Sequence, residues 1–278
     1  MIVRRLVRAA QRLLPERRAG LVVLAYHLVG AGTDSPVDLP LERFRDQLDE
    51  LTRIARPVDL AAAVAALAAG REPDGGDGGA AGDDGADRAH RPAVAFTFDD
   101  AYANFHDRAW PLLAERGIPA TLFVPVAFVE GEGPAPLRGT GHLPPVGWAE
   151  LRAMAGTGLL AVGSHTWSHA DLTRLPAARV DEELRRSRET LEDRLGRAVT
   201  AFCYPRGLWS PRLEPRVGAV YELAAIGGGR RITAARLEPL RIARTSLRRD
   251  GPSSLAPLLA APVWLEEWAA DWVRRWRR

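Results

Sequence analysis

The 278-residue sequence contains no lysine, so all 38 of its basic residues are arginine, set against 35 acidic ones. The net charge of +3 is too small an excess to argue for a nucleic-acid-binding protein, although the sequence pI is about 9.6. A single cysteine, Cys203, excludes an intrachain disulfide and a cysteine-rich zinc site. No stretch approaches the roughly 18 consecutive apolar residues of a membrane span, so no transmembrane helix is expected. Arg4, Arg5, Arg8 and Arg12 interrupt the start of the chain too often for the apolar core of a signal peptide. The expectation is a cytoplasmic chain. With 46% hydrophobic and 26% charged residues, the composition also excludes fibrous and wholly disordered classes.

What is present divides the chain. Residues 1–20 place Ile2, Val3, Leu6, Val7, Ala10, Leu13 and Leu14 at helical spacing among arginines, which reads as a basic amphipathic segment. Residues 262–278 carry Trp264, Trp268, Trp272 and Trp276 four apart, followed by Arg274, Arg275, Arg277 and Arg278. Two readings are open for these ends: a helix packed on the body, or docking on a membrane surface. Residues 71–91 are rich in Gly and Asp and read as a flexible insertion. The body, residues 21–261, alternates between apolar runs and helical periodicity. LVVLAYH, AVAFTF, ATLFVPV, LLAVGS, VTAFCY and ELAAI read as strands. Helices are expected over 41–55, up to Gly70, and over 103–116, 148–155, 176–195 and 211–220. Alternation of this kind implies parallel pairing and an α/β architecture.

Three clusters follow strands, where α/β folds place their ligand crevices. Asp99 and Asp100 end AVAFTF. A bend at the strand end would let both carboxylates line one pocket with different neighbours, which suits a metal ligand beside a base. An ordinary helix cap is the competing reading. His165 and His169 follow LLAVGS, four apart, a spacing that on a helical turn places both on one face and can chelate a metal. With Asp100 they make two histidines and a carboxylate, a set that leaves positions open for water and substrate. Tyr204, which ends VTAFCY, and the Pro205, Arg206 and Gly207 that follow make a turn that can present a backbone N–H to an oxyanion.

TFDD, HxxxH and FxYPxG, in that order and at these spacings, resemble the polysaccharide deacetylases with the NodB homology domain, carbohydrate esterase family 4. AYHLV, residues 41–60, GIPATLFV and PLRI resemble the poly-N-acetylglucosamine deacetylase subgroup. The resemblance implies a distorted, incomplete (β/α) barrel. It also implies removal of an N-acetyl group from an amino sugar in a polysaccharide, oligosaccharide or glycolipid. A divalent metal is implied as well, usually zinc and sometimes cobalt or nickel. Carried onto this chain, Asp99 is the general base, and Asp100, His165 and His169 are the metal ligands. His27, in the AYH of the first strand, is the general acid; no histidine follows His169 to take that role. Two departures stand out. Ala101 replaces the glycine that usually follows the aspartate pair. Cys203 replaces an arginine that in many relatives pairs with the base, so Asp99 must be tuned by another group. Arg206 holds a position that is commonly aromatic, and a preference for an anionic neighbour on the substrate would follow from it. The competing functions are deformylation or amide hydrolysis on a lipid-linked sugar or small amide, and an inactive carbohydrate-binding homologue. Trp148 and Trp209 suit either sugar stacking or core packing. His90, His106 and His142 are expected to be structural or solvated.

Overall fold

A computed structural model describes residues 20–73 and 91–260. Both terminal amphipathic segments and nearly all of the Gly/Asp-rich insertion lie outside the described residues. The strands are β1 (Leu21–Tyr26), β2 (Leu28–Val29), β3 (Asp38–Leu39), β4 (Arg56–Pro57), β5 (Ala93–Phe98), β6 (Ala120–Val124), β7 (Leu160–Ser164), β8 (Ala201–Cys203), β9 (Leu223–Gly227) and β10 (Ile242–Ser246). The α-helices are α1 (Leu41–Ile54), α2 (Leu60–Ala68), α3 (Trp110–Glu115), α4 (Val126–Val129), α5 (Trp148–Gly156), α6 (Ala177–Leu195), α7 (Glu214–Gly218) and α8 (Ala256–Ala260). Among the described residues, no helix is long and apolar enough to cross a membrane.

The main sheet runs β1-β10-β9-β8-β7-β6-β5-β4, and β1 also pairs with β5, so seven of its strands close into a parallel ring. This is a (β/α) barrel one strand short of eight, as the NodB-type fold requires. Parallel strands covered on both faces read as continuous apolar runs, which explains why LVVLAY and AVAFTF are buried at every position. The alternation along each strand sorts the apolar residues into two cores. Leu21, Val23, Ala93, Ala95, Phe123, Cys203 and Ala225 share the inner one. Val22, Leu24, Tyr26, Val94, Phe96, Phe98 and Leu122 join Phe44, Leu51, Leu184 and Leu191 of the helices in the outer one. Gly163 belongs to the inner side of β7, where a Cβ would come within 2.6 Å of the Phe123 ring. Only glycine leaves room for that aromatic filler.

Three expectations need correction. The segment 211–220 is helical only over α7, because Pro211 and Pro215 cannot donate to a continuous helix. The helix expected from residue 103 opens with a π-turn, Phe105–Ala109, before α3. β10 was not foreseen, since IARTS carries an arginine in the middle of an otherwise short apolar pattern. Elsewhere the elements fall within a few residues of their expected spans. α6 stops at Gly196, whose φ of 65° is the left-handed cap that ends a helix.

Candidate active site

The site stands at the carboxyl ends of the ring strands, on the inner parity of each. In β5 the inward series Ala93, Ala95, Thr97 continues to Asp99; in β7 Gly163 leads to His165; in β10 Ile242 leads to Arg244. The catalytic candidates are thus continuations of the barrel's interior columns. The chain then bends to bring in the next residue. Asp100 and Ala101 have φ of 73° and 51°, in the left-handed region, which turns Asp100 beside Asp99 instead of opposite it. Thr166, His169 and Arg206 also have positive φ, so every non-glycine residue of this kind among the described residues lies in a site loop. Such strain persists where surrounding structure holds it.

Ala101 marks one of these bends. Glycine there would relieve about 1 kcal/mol of left-handed strain, but would lose a buried methyl and gain unfolded-state freedom. Ala101→Gly is expected to change stability by less than about 1 kcal/mol in thermal unfolding; a larger loss would show that the Ala101 methyl is a packing requirement.

Asp100, His165 and His169 converge. Asp100 Oδ1 lies 3.4 Å from His169 Nε2 and 3.7 Å from His165 Nε2, and the imidazole centroids are 4.8 Å apart. The two histidines meet through a loop held in left-handed geometry rather than through the helical turn expected from their spacing. Buried Glu183 of α6 fixes that loop: it accepts from the Ser168 N–H at 2.8 Å and from Ser168 Oγ at 2.7 Å. Ser187 of the same helix bonds Ser164 Oγ at 2.8 Å. His165 Nδ1 donates to the Cys203 carbonyl at 2.7 Å, which leaves Nε2 bare toward Asp100. Burial, then the charge of Asp99, pushes the Asp100 carboxyl well above the usual range. Burial and neighbouring cations pull His165 down to about 4 and His169 down to about 3. Both Asp100 oxygens are buried without a hydrogen-bond partner. A buried carboxylate with bare oxygens, facing two neutral imidazoles, fits a divalent cation of the zinc or cobalt type.

Asp99 is held differently. Arg244 grips it from β10 with a bidentate pair, Nη1–Oδ1 2.7 Å and Nη2–Oδ2 2.8 Å. The guanidinium also donates to Thr97 Oγ1 at 3.0 Å and lies 2.9 Å from Cys203 Sγ. Burial alone would raise the Asp99 carboxyl; the Arg244 charge and hydrogen bonds, helped by His165 and His27, hold it well below the usual range. Asp99 is therefore ionised at neutral pH. His27 Nε2 stands 3.6 Å from Asp99 Oδ2, with its side chain one-fifth exposed. Burial lowers its proton affinity, as do Arg244 and Arg248, against the pull of Asp99.

In the third cluster, the Tyr204 ring packs against Phe202 at 5.0 Å and its N–H is spent on the Ala225 carbonyl at 3.0 Å. Pro205 has no N–H, and the Gly207 N–H is spent on the Tyr204 carbonyl at 2.9 Å, so Arg206 carries the remaining N–H of this turn. Trp209 gives its indole N–H to Glu214 at 3.0 Å and Trp148 packs against the outer core, so both serve the fold. His142 is exposed, and His106 bonds the adjacent Asp107 at 2.8 Å.

All the expected site residues gather at this end of the barrel. Arg244 and Glu183 were not foreseen. The signals for Arg244 were indirect, an arginine within IARTS and, at Cys203, the absence of the usual partner of the base; nothing local marks Glu183 as different from the other carboxylates of α6.

Residues 86–219 match the polysaccharide deacetylase family. The fold resembles the Streptococcus pyogenes deacetylase PplD, solved in complex with acetate, with a TM-score of 0.69 and 18% identity over 84% of this chain and 95% of that one. It also resembles IcaB from Ammonifex degensii, with a TM-score of 0.67 and 25% identity over 87% and 96% of the two chains. An uncharacterized 30.6 kDa protein of Geobacillus stearothermophilus is 27% identical over 121 residues, 43% of this chain and 40% of that one. YxkH of Bacillus subtilis is 26% identical over 117 residues, covering 42% and 38%. The chain thus aligns with about two-fifths of the length of these curated relatives. Residues 86–219 of this chain therefore carry a polysaccharide deacetylase domain.

Proposed function

We propose that the chain is a metal-dependent hydrolase that removes an N-acetyl group from an amino sugar within a glycan. The observation that carries this reading is the pairing of two differently held carboxylates. Asp100 has bare, buried oxygens beside His165 and His169, whereas Asp99 is locked as an anion by Arg244. One group suits a cation; the other is a fixed anion that can take a proton on a remaining lone pair.

A divalent cation held by Asp100, His165 and His169 would supply Lewis-acid polarisation of the acetamide carbonyl. Asp99 accepts the proton of the attacking water, and Arg244 keeps its carboxylate fixed and charged for that task. The Arg206 N–H stabilises the developing oxyanion, a contribution worth about 3–4 kcal/mol of barrier for one such donor. His27, across from Asp99, gives a proton to the departing amine, which leaves poorly without one.

Acid and base roles on His27 and Asp99 require a bell-shaped pH profile. His27→Gln is expected to lower kcat about 100-fold or more and to flatten the alkaline limb. Full activity in that variant would remove His27 from the mechanism. The substrate class is tested by acetate release from N-acetylglucosamine oligosaccharides, beside formylated amino sugars and simple acetamides.

A further inference from the structure

The proposed hydrolysis uses the backbone of Arg206 and leaves its side chain unassigned. Arg206 sits in the tight turn Pro205–Gly207 with φ of 58°. The turn is closed by Gly207 N–H to the Tyr204 carbonyl at 2.9 Å and by Leu208 N–H to the Pro205 carbonyl at 3.1 Å. Gly207 presses on β9, where a Cβ would stand 2.7 Å from the Gly227 nitrogen. The turn therefore has a fixed seat, and a left-handed arginine is retained on it against its own backbone preference.

The side chain is exposed, and no hydrogen bond or ion pair joins it to another described residue. The turn nevertheless adjoins the cation cluster: the carbonyl of Cys203, three positions before Arg206, accepts from His165 Nδ1 at 2.7 Å. Exposed Arg248 lies two residues beyond β10, the strand that carries Arg244, and its own acidic neighbour, Asp250, is exposed and 3.4 Å away. Inside, Asp99 is already neutralised by Arg244. One exposed guanidinium beside the site, that of Arg206, thus has all its donors uncommitted among the described residues. A planar fork of this kind suits a carboxylate or phosphate group.

We propose that Arg206 recognises an anionic substituent, carboxylate or phosphate, on the glycan beside the ring that loses its acetyl group. This rests on the N-deacetylase reading and specifies its substrate. The test compares kcat/KM on an N-acetylglucosamine tetramer with the same tetramer carrying C6-carboxylates or 6-phosphates. The wild-type chain is expected to favour an anionic form about tenfold at low salt, with the preference shrinking as salt rises. The better of the two anions identifies the group. Arg206→Gln should bring the ratio near one, and Arg206→Lys should keep part of it. Calorimetric titration of the charged and neutral tetramers into both full-length proteins supplies a reading independent of turnover. A wild-type ratio near one, or a ratio unchanged in Arg206→Gln, overturns the assignment while the hydrolase reading stands. Absence of acetate release from every tetramer overturns the hydrolase reading. In that case, equal calorimetric affinity for charged and neutral forms overturns the Arg206 assignment as well.

Discussion

Arg244→Met is expected to lower the unfolding free energy by about 3–5 kcal/mol and to move the acid limb of kcat/KM to higher pH. The reason is the burial of the pair. Asp99 and Arg244 each have side chains 5% exposed, and the bidentate contact satisfies both carboxylate oxygens. Methionine has a similar length but leaves a buried carboxylate alone. The sign of the pH effect follows directly. In the native chain the Asp99 carboxyl lies well below its usual range, against the pull of burial, because of Arg244. Removing the cation leaves burial dominant, so Asp99 takes up its proton at a higher pH, and the base is lost there. Stability shifts the same way. A depressed native carboxyl contributes stability above the unfolded pKa, about 3.9 for Asp, and that stability fades as pH falls toward the native value. The variant lacks this contribution, so its stability at neutral pH should fall most. Arg244→Lys should recover part of the stability and less of the activity, since a point charge cannot grip both oxygens. An unchanged acid limb in Arg244→Met would mean that Arg244 does not set the state of the base.

The second large effect is expected at the cation cluster. His169→Ala removes one of three converging donors and Asp100→Asn removes the only charged one. Loss of an outer partner alone typically costs 10- to 100-fold in metal affinity, so each variant should lose at least about 100-fold for zinc or cobalt. Cobalt titrated into the wild-type chain should give a visible absorption band that both variants lack. Equal affinity in wild type and variants would place the cation elsewhere.

Much of this site was legible in the sequence, for a physical reason. The strands of a closed parallel barrel are buried on both faces, so LVVLAY and AVAFTF stand out as apolar runs, and a polar residue directly after one stands at the ligand end. Asp99, Asp100, His165 and His169 were visible for that reason. Their convergence into one metal-binding set was also expected, but the backbone route that achieves it was not. It depends on left-handed backbone at Asp100, Thr166 and His169, which residue types other than glycine do not announce. Arg244 stayed hidden because its partnership with Asp99 spans 145 positions and joins β10 to β5 across the barrel interior. The chain did signal that something was missing, since Cys203 stands where many relatives carry the arginine that pairs with the base. The structure brings the guanidinium in from β10 and rests it 2.9 Å from the Cys203 sulfur. A small side chain at 203 leaves room for that approach, so the two features read as one rearrangement.

The central claim is that this cluster hydrolyses an N-acetylated sugar with the help of a divalent cation. Acetate release from an N-acetylglucosamine oligosaccharide tests it most directly, measured on the chelator-stripped full-length chain before and after one equivalent of zinc or cobalt. Negligible release that is restored by one equivalent, and not restored in His169→Ala, is the predicted result. Release that is indifferent to stripping, or metal uptake with no acetate formed, would contradict it.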